Sequence, residues 1–186
     1  MASKAEELPS TISIGKGMTM TFLRNEAYLT RVHITGAPDA DKLYVPPHWH
    51  ETHDEYIRVL SGQLEIVVGG QTKVYCPEDG EATIPKGVVH SLKSLKGIEV
   101  LFEERTNPKD EEKELFFRNI LVSGGMPTNV LEVMHVFYHG DTVPALPGHV
   151  KWLEKAFVTI LGAYIAPALG HKRKYPSLNM SDPVRK

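Results

Sequence analysis

The chain has 186 residues and a mass of 20.8 kDa, with 41% apolar and 24% charged residues. This balance is typical of a globular domain with a packed core and excludes a disordered chain, a collagen-like repeat and a coiled coil. A net charge of −2 and a pI near 6.5 provide no broad basic surface, so we expect no nucleic-acid partner. The single cysteine, Cys76, cannot form an internal disulfide.

Targeting signals and membrane spans are not expected. The first nine residues carry two acidic side chains and no apolar run, unlike a secretory signal. The longest uncharged stretch, residues 156–170, is too short for an ordinary span and is interrupted by Gly162 and Pro167. We therefore expect a cytoplasmic protein without a membrane span.

The first two thirds of the chain are predicted to form short strands separated by turns. Apolar residues at 64, 66 and 68 alternate with polar ones, which is typical of a strand with one buried face. Gly69–Gly70 then permits a tight hairpin. Strands are predicted at 18–23, 28–34, 56–61, 62–68, 71–75, 82–84, 90–93 and 98–105. This spacing favours an antiparallel sandwich or barrel.

After Arg105 the pattern becomes helical. A first helix is predicted to start at Asn107–Pro108, to have acidic residues including Glu111 near its start, and to end at Gly124–Gly125. Its apolar stripe comprises Leu115, Phe116, Ile120 and Leu121. A second helix is predicted over residues 128–137.

A third helix, residues 150–169, is apolar on nearly every side. We expect it to be buried against the barrel or a second subunit, with a membrane surface as the less favoured alternative because a polar face is missing. Strand edges of a barrel need cover, and this helix and the arm Thr11–Ile14 are available to supply it. We therefore expect a homodimer.

Three histidines and several carboxylates lie within residues 48–55. On a strand, His48 and His50 project from the same face and provide two metal-ligating nitrogens. Glu55, and His90 after the Pro85–Gly87 turn, are the candidates that complete the site. His53 is interpreted as an exposed loop histidine, with a ligand or supporting role as the alternative.

The spacing between His50 and Glu55 leaves one choice open. A regular strand would point Glu55 away from the histidine face and would place Asp54 there instead. A bulge or turn through residues 52–54 is therefore required if Glu55 is to be the ligand.

The residues His48-x-His50, Glu55 and Gly62, followed by Gly80, Pro85-x-Gly87 and His90, resemble the two motifs of the cupin superfamily, specifically its small single-domain members. The resemblance covers residues 18–104. It implies a mainly β jelly-roll barrel, the double-stranded β-helix, with C-terminal helices. The implied organisation is an N-terminal arm (1–17), a barrel (18–108) and a helical extension (109–186).

The resemblance also implies one divalent metal ion per chain, held by His48, His50, Glu55 and His90. Fe(II) or Mn(II) suits this ligand set best, and Ni(II), Cu(II) and Zn(II) are compatible with it. The function expected is a metal-dependent oxidoreductase, such as a dioxygenase, that acts on a small aromatic or polyketide-like molecule. The alternatives are a non-redox decarboxylase, isomerase or dehydratase, or a non-catalytic small-molecule-binding cupin.

The predicted pocket wall is mostly apolar. Alternation from Glu55 turns Ile57 and Val59 inward, and an apolar wall suits a flat aromatic molecule. Further residues considered for the pocket are Tyr44 and Trp49, with Trp49 expected to point away from the ligands, and Arg31 and His33, for which an exposed position is favoured.

Overall fold

The computed structural model describes residues 8–110, 112–121 and 126–177. Within these ranges the chain forms two antiparallel sheets. The first has the order β1 (Thr11–Gly15), β2 (Met18–Phe22), β3 (Thr30–Ile34), β10 (Val100–Asn107), β5 (Asp54–Gly62) and β8 (Glu81–Ile84). The second has the order β11 (Val143–Pro144), β4 (Tyr44–Trp49), β9 (His90–Ser94), β6 (Leu64–Val68) and β7 (Gln71–Tyr75).

The two sheets enclose one apolar core, and the predicted jelly-roll barrel is confirmed. Side chains alternate as expected along β5, where Ile57 and Val59 are buried and Arg58 is exposed. They meet Leu64 and Ile66 of the second sheet in the same core cluster. Burial of alternate residues on both sheets therefore fixes which face of each strand points inward.

Two local features of the strands correspond closely to the sequence pattern. Gly69 and Gly70 have φ angles of 56° and 84° and join β6 to β7 as the predicted hairpin. Gly62 ends β5 with φ of 76°, where an added Cβ would lie 1.8 Å from the Glu99 carbonyl oxygen. Glycine is needed there because any side chain would collide with the neighbouring strand.

The N-terminal arm contributes a strand, and the first helix differs from its prediction. Residues Thr11–Gly15 pair with β2 and so cover a strand edge of their own barrel. Strand β10 continues to Asn107, which pairs with Asp54, so the first helix (α1, Lys113–Ile120) begins later than predicted. Glu111 and the stop at Gly124–Gly125 lie outside the described residues.

The remaining helices pack on one another beside the second sheet. Helix α2 (Val130–His139) begins after Asn129, whose side chain accepts hydrogen bonds from the Leu131 and Glu132 amides. The C-terminal helix runs from Lys151–Val158 through a π-helical stretch, Thr159–Ile165, to Ala166–Ala168. A short 3₁₀ turn covers Pro77–Asp79.

The C-terminal helix buries only a narrow stripe. Glu154, Val158, Gly162 and Ala166 are buried at intervals of four residues, and an added Cβ on Gly162 would lie 2.2 Å from the Met134 carbonyl oxygen of α2. The helix therefore packs closely on α2, and through Glu154 and Val158 it also contacts Trp49 of the barrel. Burial of its other apolar residues against a second subunit stays a prediction. No helix in the described ranges is long and apolar enough to cross a membrane.

Candidate metal centre

Two of the predicted ligands face each other on neighbouring strands. His48 near the end of β4 pairs with His90 at the start of β9, and their ring centroids lie 4.1 Å apart. The β4–β9 register is irregular between Val45 and His48, where two prolines interrupt the ladder. Pairing of the two strands thus brings together histidines that are 42 residues apart in the sequence.

A tight turn holds the other two ligands in place. The Val88 amide donates to the Pro85 carbonyl, and Gly87 has φ of 75°, as predicted for this Pro–Gly turn. The Gly87 amide donates to the His50 carbonyl oxygen at 2.7 Å, and the Lys86 amide donates to Asp54 Oδ1 at 2.8 Å. The turn that leads into β9 therefore also fixes the loop between β4 and β5.

That loop re-aims Glu55 toward the histidines. Strand β4 ends at Trp49, the chain turns through residues 50–53, and β5 begins at Asp54. Glu55 then points inward with the buried face of β5, whereas Asp54 is used to hold the turn. Of the two carboxylates considered, the structure brings Glu55 to the histidines.

The four predicted ligands converge at one buried point between the two sheets. One ligand atom from each of His48, His50, Glu55 and His90 lies within 4.8 Å of the others. Ligand atoms around a common ion lie at most about twice the metal–ligand distance of roughly 2.1 Å apart. The spacing therefore fits a single cation after small adjustments of the side chains.

The three imidazoles present the nitrogen that a metal needs. His48 Nδ1 donates to the Pro46 carbonyl at 2.9 Å, His50 Nδ1 to the Asp141 carbonyl at 2.6 Å, and His90 Nδ1 to the Val88 carbonyl at 3.1 Å. With the proton on Nδ1, each Nε2 keeps its lone pair. A backbone carbonyl thus sets the ligating tautomer of every histidine in the cluster.

Lone pairs face one another at the centre of the cluster. Glu55 Oε2 lies 3.1 Å from His50 Nε2 and 3.0 Å from His90 Nε2, and His90 Nε2 makes no hydrogen bond within the described residues. Buried acceptors without a proton between them repel one another, and a cation relieves that repulsion. This arrangement fits a divalent metal ion.

The titration behaviour of the cluster agrees with that fit. Burial, together with the nearby His90 and His50, holds the pKa of His48 well below its usual value. Burial and then the charge of Lys113 lower the pKa of His50 to about 4. Burial raises the pKa of Glu55, but contacts with His90 and His50 through protons on their Nε2 lower it well below its usual value, and a cation in place of those protons would act in the same direction. Neutral imidazoles and one carboxylate are the protonation states that bind metal.

His53 is not the exposed loop histidine favoured from the sequence, because it is only 3% exposed. Its ring stacks on His50 with centroids 4.4 Å apart, and its Nδ1 lies 3.1 Å from Asp141 Oδ2. Its Nε2 lies 3.4 Å from the buried Lys113 Nζ. His53 therefore supports a predicted ligand from the side and connects it to two residues that the sequence did not single out.

Asp141 is the main supporting residue that sequence reasoning missed. Its carboxylate accepts hydrogen bonds from the Glu51 and Thr52 amides and the Thr52 hydroxyl, and its carbonyl accepts from His50. Burial raises the pKa of Asp141, but His53 and these donors together lower it far below the usual range. Asp141 reaches the site because β11, which begins two residues later, pairs with β4. No local motif around Gly140–Asp141 predicts this pairing.

The other residues considered for the pocket lie away from the cluster, except for the apolar wall of Ile57 and Val59. Tyr44 is 59% exposed. Trp49 points away, as predicted, and its Nε1 donates to the buried Glu154 of the C-terminal helix at 2.8 Å. Arg31 pairs with Glu103, and His33 with Glu99, on the outer face of the first sheet.

A cavity of about 220 Å³ lies beyond His53, between α1 and α2. Thr52, Asp141 and Phe116 contribute to its wall, whereas none of the four predicted ligands lines it. The metal cluster is therefore separated from this cavity by the loop that carries His53.

Residues 39–101 match a family model described as Cupin domain, and this range contains all four predicted ligands. The match identifies residues 39–101 as a cupin domain, in agreement with the predicted resemblance and with the two-sheet barrel.

The chain is also similar to proteins named as oxidoreductases. Oxidoreductase AOL_s00215g277 of Arthrobotrys oligospora is 29% identical over 151 residues, which are 70% of this chain and 58% of that protein. Probable oxidoreductase patJ of Penicillium expansum is 28% identical over 155 residues, which are 75% of this chain and 47% of that protein. The chain thus spans about half the length of the curated relatives it matches.

Solved structures resemble part of the chain. The polyketide cyclase RemF from Streptomyces resistomycificus is 22% identical, covers 55% of this chain and 82% of its own, and gives a TM-score of 0.37. KdgF from Halomonas sp. is 20% identical, covers 47% of this chain and 76% of its own, and gives a TM-score of 0.36. Both likenesses extend over about half of this chain.

Proposed function

We propose that this protein, whose residues 39–101 form a cupin domain, is a metal-dependent oxidoreductase acting on a small organic molecule. The observation that carries the proposal is the buried convergence of His48, His50, Glu55 and His90, with each imidazole Nδ1 donating to a carbonyl so that each Nε2 keeps its lone pair for a metal. The names of the two relatives support redox chemistry over other cupin activities.

The ion proposed is Fe(II) or Mn(II), one per chain. When bound, it would supply redox capacity and a Lewis acid to a substrate at its remaining coordination positions. The protein's own residues exclude water and orient the reactants. Ile57 and Val59, on the same face of β5 as Glu55, provide the apolar wall. This wall supports an aromatic or polyketide-like substrate, and the redox capacity of the ion would suit a dioxygenase reaction on it.

The proposal is tested on untagged protein purified without added metal. Elemental analysis is expected to find close to one iron or manganese ion per chain. Oxygen uptake on a panel of hydroxylated aromatic acids is then expected to depend on that ion. Protein that contains no metal and takes up none on reconstitution would contradict the proposal and favour a non-catalytic binding cupin.

One buried acid favours a second candidate function, a non-redox decarboxylase, isomerase or dehydratase. Glu104 lies on the inner face of β10, opposite Ile57, and its carboxyl makes no hydrogen bond within the described residues. Burial, reinforced by the charge of Glu55, raises its pKa to about 8. A protonated carboxyl inside the barrel can deliver a proton to a substrate. Turnover of the same panel under argon at the rate seen in air would favour this candidate over the oxidoreductase.

We further propose that residues 18–108 act as the barrel and 109–186 as an extension that forms a homodimer. The C-terminal helix exposes large apolar side chains, with Trp152, Ile160 and Tyr164 exposed by 73%, 52% and 68%. Apolar surface of this kind is uncommon on a monomer. Leu153, Phe157, Ile160 and Tyr164 recur every three or four residues, which suits packing against an identical helix of a second copy.

Ile160→Glu is therefore expected to convert a micromolar dimer into a monomer. Each buried isoleucine contributes about 1.5–3 kcal/mol and a two-fold interface loses it twice, so the dimer Kd should rise about 100-fold or more. Light scattering of wild type and variant measures the change. Tyr44→Glu, at a similarly exposed position on the barrel, is the control that should leave the mass unchanged. A monomeric wild type at micromolar concentration would contradict the dimer.

A further inference from the structure

Lys113 is a buried cation without a matching anion. It is the first residue of α1, its side chain is 2% exposed, and no carboxylate oxygen of the described residues lies within 4.0 Å of its Nζ. Lysine is almost never fully buried unless it is paired. Its contacts are His53 Nε2 at 3.4 Å and the face of the Phe116 ring at 5.2 Å.

Lys113 lies one side chain away from a predicted metal ligand. His53 Nδ1 donates to the Asp141 carboxylate, so its Nε2 accepts from the Lys113 ammonium. The His53 ring stacks on His50. One ammonium hydrogen is therefore engaged by His53, and the other two make no hydrogen bond within the described residues.

The charges around Lys113 leave a surplus of positive charge. Three neutral imidazoles and one carboxylate would leave a divalent ion with a net charge of +1, and Lys113 adds another. Glu104 lies near enough for the Lys113 charge to lower the pKa of its carboxyl, but no oxygen of that carboxyl lies within 4.0 Å of Lys113 Nζ. Asp110, the other carboxylate that acts on Glu104, is also not ion-paired with Lys113. Buried like charges are stabilised when an anion binds near them.

We propose that Lys113 binds an anionic oxygen of the substrate, a carboxylate or an enolate, beside the metal centre. This inference rests on the proposed function of the site. It restricts the substrate to small organic acids or acidic enols and phenols. It also assigns a binding role to the helical extension, outside the residues that match the cupin model.

A binding role and a structural role predict opposite effects of Lys113→Met on stability. If the lysine is kept for a ligand, an unpaired buried charge destabilises the free protein, and its removal should raise Tm by about 3 °C or more. If it instead contributes stabilising contacts, Tm should fall. Lys109→Met removes an exposed lysine just before α1, whose Nζ donates to the Glu26 carbonyl, and should leave Tm nearly unchanged.

Binding is measured by calorimetry with salicylate and its uncharged analogue salicylamide, on metal-free and on manganese-loaded protein. Wild type should prefer salicylate, and Lys113→Met should weaken salicylate binding at least tenfold while leaving salicylamide binding and manganese content unchanged. A fall in Tm, or a wild type without preference for salicylate, would overturn the role of Lys113. Failure of wild type to bind manganese would instead count against the proposed metal site.

Discussion

Replacing His90 by alanine is expected to weaken metal binding by more than about 100-fold, because loss of an outer partner of a ligand alone costs 10–100-fold. His90 is the ligand that joins the two halves of the site, since β9 places it opposite His48 while the turn before it holds His50 and Asp54. The variant should contain no metal ion by elemental analysis, and its metal-dependent oxygen uptake should be lost.

The variant also loses a buried ring, so a control must separate folding from metal binding. His135 is another buried histidine, on α2, where its Nδ1 donates to the Gly162 carbonyl at 2.7 Å. His135→Ala should lower the free energy of unfolding by a similar amount and keep the metal content of wild type. A His90→Ala protein that retains one ion per chain would show that the cluster is not the metal site.

The proposed ligand set could be predicted from the sequence because much of its geometry is local. The period-two alternation of a strand places His48 and His50 on the same face, and the Pro85–Gly87 turn predicts a strand that starts at His90. The choice between Asp54 and Glu55 depended on a loop, and the hydrogen bond from the Lys86 amide to Asp54 decides which carboxylate remains for the cluster. Local spacing thus predicted the position of the site, and a contact between residues that are distant in the sequence determines which carboxylate joins it.

The supporting residues could not be found in the same way. Asp141 and Lys113 lie 91 and 63 residues after His50, and they reach it through the β11–β4 pairing and the start of α1. The contacts of the C-terminal helix could not be predicted for a related reason. Its apolar composition predicted burial, and the structure places one narrow stripe against α2, with close approach at Gly162. Burial of the remaining apolar residues against a second subunit stays a prediction.

Asp141→Ala is expected to destabilise the protein and loosen the metal site together. The carboxylate accepts from the Glu51 amide and from the amide and hydroxyl of Thr52, which are exposed, and it lies 3.1 Å from Nδ1 of the buried His53, which would lose its partner. This should cost about 1–3 kcal/mol of unfolding free energy. The His50 tautomer depends on the Asp141 carbonyl, so a shifted loop should also weaken metal binding about tenfold.

Two further variants serve as controls: Asp141→Asn removes the charge and keeps the shape of the side chain, and Asp39→Ala removes an aspartate elsewhere on the surface. Asp141→Asn keeps one acceptor oxygen and tolerates the left-handed φ of 48° at this position, so it should retain most stability. Its amide NH₂ group would face the Thr52 hydroxyl and the His53 Nδ1–H, which are also donors. The metal affinity of this variant should therefore lie between the affinities of wild type and the alanine variant. Asp39→Ala removes an exposed aspartate paired with Lys16 and should change neither quantity. Chemical denaturation and metal titration are measured separately. If the alanine variant loses stability but binds metal like wild type, Asp141 stabilises the fold and does not position His50. If stability and metal affinity fall together and asparagine partly restores both, Asp141 positions His50.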